Sequence, residues 1–359
     1  MSETGSRPRL AYIDLARGVA VLLMIEAHTL DAWTRFADRK TSVFGDATIL
    51  GGFAAPMFLW LAGVGIALAA ARAAERRGHR AAIEAACRRG LEIFILAFLF
   101  RLQAWVLTPG GHPVTIFRVD VLNIMGPSMV VAGLLWGLAR GVAGRVAWFS
   151  AAAILLAMAT PIIRASAAID ALPTWVQWYV RPSGEMTTFT LFPWAAFVLA
   201  GGAVGALISA SGGARAERRL HATLAAVGAM LVAVGFWAAA RPTIYASSSF
   251  WTTSPTWFAI RVGILMLALS AIYLLAPPIP VLERMGRSSL FIYWIHVELV
   301  YGYASWLWRH RLPLWATMAA YAAFCVLMYF AIGWRDRIAG GWRARRRGGT
   351  APAANTATA

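Results

Sequence analysis

Ten apolar stretches of about 18 to 25 residues follow one another along this chain of 359 residues. A stretch of this length crosses the hydrocarbon core of a bilayer when it is helical, because a helix satisfies its own backbone hydrogen bonds there. The composition agrees: 60% of the residues are hydrophobic and only 14% are charged. We therefore predict an all-α, polytopic membrane protein, a single bundle of about ten transmembrane helices. The stretches are approximately 9–30, 47–70, 91–108, 119–138, 146–163, 187–208, 222–240, 257–276, 288–307 and 313–334.

Basic residues predict the orientation of this bundle. They are concentrated after the second, fourth, sixth and eighth stretches and in the C-terminal tail, including Arg343, Arg345, Arg346 and Arg347. Cytoplasmic loops are enriched in Lys and Arg, so we expect both termini in the cytoplasm. Two basic segments, 35–40 and 309–311, fall on the opposite side and are exceptions. We expect the net charge of +17 to face lipid headgroups rather than nucleic acid.

These patterns define a domain organisation. We predict an N-terminal cytoplasmic segment at 1–8, a transmembrane domain at 9–334 and a basic, partly disordered cytoplasmic tail at 335–359. The first apolar stretch is charged and lacks a small-residue cleavage site, which argues against a cleavable signal peptide. The expected location is the cell inner membrane, as a multi-pass protein. The sequence leaves the oligomeric state, including a homodimer, open.

The first apolar stretch carries ionisable side chains. An ionisable group inside a bilayer costs several kcal/mol and usually faces the protein interior or a water-filled cavity. Arg17 and His28 are eleven residues apart, so on a helix they share one face at a separation of about 16 Å. Asp14 and Asp31 extend this polar stripe, whereas Glu26 lies on the opposite side. The stripe suits a long ligand lying beside the helix.

Further polar residues occur in later apolar stretches. Arg101 lies in the third stretch, and Arg118, Asp120 and Asn123 open the fourth. His296 lies in the middle of the ninth. Each group also has a purely structural interpretation. The structural alternatives are ion pairs of Asp14 with Arg17, of Arg118 with Asp120 and of Arg101 with Glu92, and a satisfied core position for His296. His79, His221 and His310 lie in basic connections, where we expect surface positions.

The two longest irregular connections, 165–186 and 241–256, contain aromatic and hydroxyl residues that suit a sugar-like acceptor or an interfacial belt. No HExxH motif or cluster of His and Cys residues predicts a metal site. Cys87 and Cys325 give no disulfide framework.

Several segments resemble a known family. YIDLARGVAVLLMIEAH resembles the opening of the transmembrane acyltransferase superfamily, where an Arg followed after ten residues by a His marks the first helix. APMFLWLAGVGIALAAAR, DVLNIMGPS, FPWAAFVLAGGAVG and SSLFIYWIHVEL resemble successive segments of its bacterial relatives of heparan-α-glucosaminide N-acetyltransferase. The lysosomal enzyme looks to have Asn at the position of His28 and its proposed catalytic His in the following loop. Here that loop, residues 32–46, contains no histidine, so glucosamine is not carried over as the acceptor.

The resemblance implies transfer of an acetyl or other acyl group from cytoplasmic acetyl-CoA to a carbohydrate hydroxyl or amine on the extracytoplasmic side. It makes His28 the base, which Asp31 or another carboxylate could hold. Arg17 contacts the donor, and Asp120, Asn123 and His296 belong to the central cavity. The assigned catalytic residues are His28, Asp31, Asp120 and His296, and the assigned donor-binding residues are Arg17, Arg101, Arg118, Asn123 and Asp14.

Two other function classes stay open at this point. Ten spans with charges near the midplane also fit a secondary transporter or flippase of a small or glycan substrate. A non-catalytic membrane protein that binds a glycan is the second alternative. Binding of acetyl-CoA would separate the transferase from both.

Overall fold

The computed structural model describes residues 10–107 and 111–348, with side chains described as far as residue 342. Within these ranges the chain forms thirteen α-helices joined by short 3₁₀ turns. The first seven are α1 (Ala11–Trp33), α2 (Ser42–Gly51), α3 (Ala54–Arg77), α4 (His79–Leu107), α5 (Val121–Leu138), α6 (Val142–Ala165) and α7 (Thr174–Val180). The others are α8 (Leu191–Ala210), α9 (Ala214–Ala239), α10 (Pro255–Leu275), α11 (Pro280–Arg287), α12 (Ser289–Tyr301) and α13 (Leu314–Gly348).

Each of the ten predicted stretches falls on a helix. Within the described ranges, eight helical segments are long and apolar enough to cross a membrane, with α2 and α3 counted as one continuous segment. The first and ninth stretches do not reach this standard for different reasons. α1 has the length but carries charged residues, and α12 has only 13 residues. The all-α, multi-pass prediction is confirmed, whereas the ninth stretch ends earlier than predicted, at Tyr301.

α3 and α8 form the centre of the bundle because their glycines allow the two backbones to approach closely. A Cβ atom added to Gly63 would lie 1.8 Å from the carbonyl oxygen of Val198, and one added to Gly201 would lie 1.9 Å from that of Trp60. No side chain fits at such distances. Residues from both helices contribute to the larger of two hydrophobic clusters.

α1 is held along its whole length by other helices. Gly18 packs against the carbonyl oxygen of Leu282, and Gly286 packs against that of Asp14, so α11 lies directly on the first half of α1. α12 and α13 pack on its second half. Tyr12 donates a hydrogen bond to Glu217 of α9 at 3.0 Å, which places the first residues of α1 and α9 at the same end of the bundle.

Two predictions about connecting regions differ from the structure. The connection at 165–186 contains the short helix α7 and is therefore not wholly irregular. His221 is fully buried and stacks on Tyr273 at 4.0 Å, so its predicted surface position is wrong. Its location in a basic connection hid the fact that this residue already belongs to α9.

The helix α13 continues past residue 334 to Gly348, so the first part of the predicted tail at 335–359 is helical. The N-terminal segment 1–8, the last residues of the predicted tail at 349–359, and the side chains of Arg343, Arg345, Arg346 and Arg347 lie outside what the structure describes.

Candidate active site

Two histidines from distant parts of the chain meet beside α1. His28 Nδ1 lies 2.8 Å from Nε2 of His296, which α12 supplies. The two rings are nearly parallel, with an angle of 5° between their planes and 5.0 Å between their centroids. His296 is fully buried, and its Nδ1 lies 2.8 Å from the backbone carbonyl oxygen of Ile292, one turn earlier in α12.

This arrangement determines which ring nitrogens carry protons when both rings are neutral. A carbonyl oxygen only accepts, so His296 Nδ1 carries a proton and donates it to Ile292. His296 Nε2 is then an acceptor, and His28 donates to it from Nδ1. A neutral His28 protonated at Nδ1 has an unprotonated Nε2. The hydrogen-bond network therefore leaves His28 Nε2 as the nitrogen that can accept a proton from a ligand.

The carboxylate predicted to orient His28 has another role. Asp31 Oδ2 accepts a hydrogen bond from the hydroxyl of Tyr301 at 2.9 Å, and Asp31 Oδ1 lies 3.8 Å from Arg39 Nη1. The structure shows no hydrogen bond between Asp31 and His28 among the residues it describes. Asp31 instead contributes to the surroundings of His28 indirectly, through Tyr301, because the ring of Tyr301 packs edge-on against His28 at 5.5 Å.

Asp120 forms an ion pair with Arg101 rather than with Arg118. The predicted pair of Arg118 with Asp120 is wrong, since Arg118 donates to Thr188 Oγ1 at 3.0 Å. The physical reason is that Asp120 is the residue before α5 and its side chain faces α4, which carries Arg101.

The predicted pair of Arg101 with Glu92 is also wrong. Glu92 pairs with Arg88 and Arg89 at 3.0 and 3.1 Å, on the exposed part of α4. Residues 92 and 101 are nine positions apart, about two and a half helical turns, so they do not face each other.

Asn123 fixes the start of α5. Its Oδ1 accepts a hydrogen bond from the backbone N–H of Asp120 at 3.0 Å. Its Nδ2 then points away from that contact, with the hydroxyl of Tyr179 at 3.5 Å. Asn123 is fully buried. Asp120 lies close enough to act electrostatically on His28, so the start of α5 borders the histidine pair.

Arg17 lies at the other end of the polar stripe. It pairs with Asp14 at 3.5 Å, as predicted, and it lies beside Gly65 of α3, where a Cβ atom would come within 2.8 Å of Arg17 Nη2. α1 is a continuous helix from Ala11 to Trp33, so the predicted separation of about 16 Å between Arg17 and His28 along its axis holds.

Sequence reasoning missed two residues that contact the histidine pair, Tyr293 and Tyr301. Tyr293 packs on His296 and on Phe100, and Tyr301 packs on His28. It also missed a neighbouring hydrogen bond, which Trp294 Nε1 donates to Gln103 Oε1 at 2.5 Å. Tyr293 lies three residues before His296, and this helical spacing is the signal that could have identified it. No comparable spacing identifies Gln103, Trp294 or Tyr301, because each of them forms its hydrogen bond with a residue on a different helix.

The comparison with known proteins gives one family. The model for heparan-alpha-glucosaminide N-acetyltransferase, catalytic domain, matches residues 9–245, about two thirds of the chain. No curated protein matches. The matched residues include α1 with His28 and the start of α5, whereas α12 with His296 lies beyond them. The chain therefore belongs to the heparan-alpha-glucosaminide N-acetyltransferase catalytic-domain family, a family of membrane acetyltransferases.

Proposed function

We propose that this protein transfers an acetyl or related acyl group from acyl-CoA to a hydroxyl or amine of a carbohydrate acceptor, with His28 as the general base. The observation that carries this proposal is the hydrogen-bonded series from His28 through His296 to the Ile292 carbonyl. A general base needs an unprotonated nitrogen held in one orientation. The series supplies both at His28 Nε2.

The proton balance of the transfer follows from this geometry. The acceptor O–H or N–H attacks the thioester carbon as its proton passes to His28 Nε2. The C–S bond then breaks, and the same proton returns from His28 to the CoA sulfur, which leaves as a thiol. His28 Nδ1 keeps its own proton throughout, and His296 stabilises the transient imidazolium by accepting from it.

The negative charge that develops on the thioester oxygen needs donors nearby. Asn123 Nδ2 is one candidate, because Oδ1 of the same amide is already occupied by the Asp120 N–H. Arg101 and Arg118 each have a buried Nε that finds no hydrogen-bond acceptor among the described residues. An N–H buried without an acceptor is costly, and a ligand oxygen would satisfy it.

The donor fits the polar stripe of α1 in this proposal. Arginine binds phosphate through charge-assisted hydrogen bonds, and Arg17 with Asp14 marks the end of the stripe away from His28. A donor whose phosphates lie near Arg17 would extend about 16 Å along the helix to place its thioester beside His28. The distribution of basic connections favours a cytoplasmic location for the Arg17 end, where acyl-CoA is available, with the His28 end on the opposite side.

Two measurements on purified protein in nanodiscs test this function: acetyl-CoA binding by calorimetry, and acetyl transfer to a mixture of oligosaccharides. We expect wild type to bind in the micromolar range, Arg17→Ala to bind more weakly, and His28→Ala to bind normally but to lose transfer. His112→Gln serves as the matched control, because His112 is an exposed histidine whose ring caps a 3₁₀ turn. Absence of acetyl-CoA binding by wild type would overturn the proposal in favour of a transporter. Full transfer by a folded His28→Ala variant would overturn the role of His28.

A further inference from the structure

A cleft lies between α11 and the C-terminal half of α13, at the surface of the bundle. Arg284 Nη2 of α11 donates to Asp336 Oδ2 of α13 at 2.9 Å, and the same guanidinium lies over the ring of Tyr329 at 5.4 Å. These contacts join the two helices beside an open space of about 440 Å³. We call this space the α11–α13 cleft; its lining residues are Arg284, Tyr329, Phe330, Gly333, Asp336 and Arg337.

The α11–α13 cleft lies at the level where α13 leaves the hydrocarbon core of the bilayer. From Leu314 to Trp334 this helix carries no charged residue, and charged residues begin at Arg335. The uncharged part is about 30 Å long, which matches the thickness of the hydrocarbon core. Phe330 and Trp334 are 68% and 71% exposed, so the helix faces lipid on this side. The cleft therefore opens to acyl chains on one side and to headgroups on the other.

The cleft and its rim carry more positive than negative charge. Arg284 and Arg335 share the carboxylate of Asp336, at 2.9 and 2.7 Å. Arg337 is exposed and has no ion pair within the described part of the chain. The glutamate of α11 pairs within its own helix and does not reach the cleft. Three cations thus face one carboxylate, which leaves a formal surplus of two positive charges.

The helix α11 separates this cleft from the polar stripe of α1. Gly286 packs on α1, where an added Cβ atom would lie 1.9 Å from the carbonyl oxygen of Asp14 and 3.0 Å from Arg17 Cβ. Arg284 is two residues earlier, about 200° around the helix, so its side chain leaves the opposite face and meets α13. The cleft is therefore a second basic site and does not extend the stripe that carries Arg17.

The orientation rule explains the positive charge at this end of α13 but does not explain the cleft. The rule requires basic residues near the end of a span, whatever the packing around them. At Gly333, an added Cβ atom would make one contact with other parts of the described chain, an ordinary one at 3.7 Å from Arg284 Nη2. Packing therefore does not require glycine here, although glycine destabilises a helix relative to alanine. Its effect is to keep space open beside the arginines.

We propose that the α11–α13 cleft binds the phosphate of an anionic phospholipid from the surrounding bilayer. Arg284 and Arg337 bind the phosphate oxygens through charge-assisted hydrogen bonds, and the acyl chains run along α13 past Phe330. Basic pockets between transmembrane helices bind anionic headgroups on the cytoplasmic side, which is the side that the arginine-rich connections favour for this cleft. The bound lipid holds α11 between α13 and α1. This binding does not depend on the transferase function proposed above.

Native mass spectrometry of the full-length protein in neutral detergent tests this site. The probes are phosphatidylglycerol and phosphatidylcholine with identical acyl chains; both carry a phosphate, but only phosphatidylglycerol has a net negative charge. The first variant, Arg284→Gln/Arg337→Gln, removes two cations from the cleft. Its matched control, Arg76→Gln/Arg77→Gln, removes two exposed cations at the end of α3, which the orientation rule places on the same side of the membrane.

A second variant closes the cleft without changing its charge. Gly333→Leu fills the space between Arg284 and α13, where the helix tolerates a Cβ atom. Gly340→Leu is the matched control, since no atom lies within 4 Å of an added Cβ at this position of the same helix. Thermal unfolding of each variant in detergent, before lipid is added, shows that it is folded.

We expect wild type to bind phosphatidylglycerol about tenfold more tightly than phosphatidylcholine, because the surplus cations attract a net negative headgroup. Both cleft variants should lose this preference, and both controls should keep it. Equal binding of the two lipids by wild type, or equal losses in a cleft variant and its control, would overturn the proposal. A loss in the arginine variant without a loss in Gly333→Leu would show attraction to surface charge rather than to the cleft, and would also overturn it.

Two soluble competitors, glycerol 3-phosphate and acetyl-CoA, distinguish a lipid ligand from a soluble phosphate. We expect neither to displace phosphatidylglycerol. Displacement by glycerol 3-phosphate would identify a site for a free phosphate group, and displacement by acetyl-CoA would assign the cleft to the acyl donor; either result would overturn the lipid site. Acetyl-CoA binding to the same samples separates this proposal from the proposed function, because lipid preference without acetyl-CoA binding would reject the transferase and retain the lipid site.

Discussion

His28 and His296 are 268 residues apart in the sequence, yet their ring nitrogens lie 2.8 Å from each other. Because His296 Nδ1 is committed to the carbonyl oxygen of Ile292, the shared hydrogen bond is donated by His28. His296 thereby acts as a positioning residue that keeps the lone pair of His28 on Nε2.

Replacing His296 tests this role. In His296→Ala the Nδ1–H of His28 loses its acceptor and the ring can adopt the other tautomer, so we expect kcat to fall by roughly 10²-fold with KM little changed. His296→Gln offers an amide oxygen at a similar place and should recover part of kcat. Steady-state kinetics measures both parameters. If the Gln variant is as slow as the Ala variant, or if only KM changes, His296 does not position the base.

Removing one partner of the Arg101–Asp120 pair should destabilise the protein strongly, because the other charge stays buried. We expect Asp120→Ala to lower the free energy of unfolding by about 3–5 kcal/mol. Glu92→Gln is the control, since its pairs with Arg88 and Arg89 are exposed and worth about 0–1 kcal/mol. Denaturant or thermal unfolding in nanodiscs measures both. Similar losses in the two variants would argue against a buried ion pair at Asp120.

The contact between α3 and α8 should not tolerate a methyl group at Gly63. A Cβ there would lie 1.8 Å from a backbone oxygen, which a side-chain rotation cannot relieve, so the helices must move apart. We expect Gly63→Ala to cost about 3 kcal/mol or more, at the upper end of overpacking changes. Gly212→Ala, where no atom lies within 4 Å, should unfold like wild type. If Gly63→Ala unfolds at the same temperature or denaturant midpoint as wild type, the backbones of α3 and α8 do not pack this closely at Gly63.

Asp38 makes the stability of the loop after α1 depend on pH. Its Oδ2 accepts the backbone N–H of Leu314 at 2.7 Å, and this bond, together with the bond from Arg35, lowers the pKa of Asp38 below its usual value. A carboxyl with a lowered folded-state pKa stabilises the fold above its unfolded pKa, about 4, and loses that contribution as the pH falls through the folded pKa.

We therefore expect Asp38→Asn to destabilise the protein at pH 7 and to make no difference at a pH below the folded-state pKa of Asp38. Asp46→Asn, an exposed aspartate in α2, is the control. Thermal unfolding between pH 3 and pH 7 measures the effect. A constant difference between Asp38→Asn and wild type over this range would contradict the role given to the Leu314 bond.

The sequence predicted the features that depend on local patterns. Apolar length identified the helices, and the eleven-residue spacing of Arg17 and His28 placed both on one face of α1. The i, i+3 pair of Asp14 and Arg17 forms as expected. In each case the partners lie within one helix, where geometry follows directly from spacing.

Tertiary structure alone decided three features: the partner of His28, the partner of Asp120 and the joining of the two basic segments, 35–40 and 309–311. Asp31, three residues after His28, was the carboxylate predicted to hold it, but Asp31 accepts a hydrogen bond from Tyr301, and α12 supplies His296 as the partner of His28. No spacing rule relates residues on different helices, because helix packing depends on how small residues such as Gly18 and Gly286 let the backbones approach. The sequence therefore determined the bundle and the polar stripe of α1, whereas the packing of α11, α12 and α13 around that stripe decided which polar groups meet.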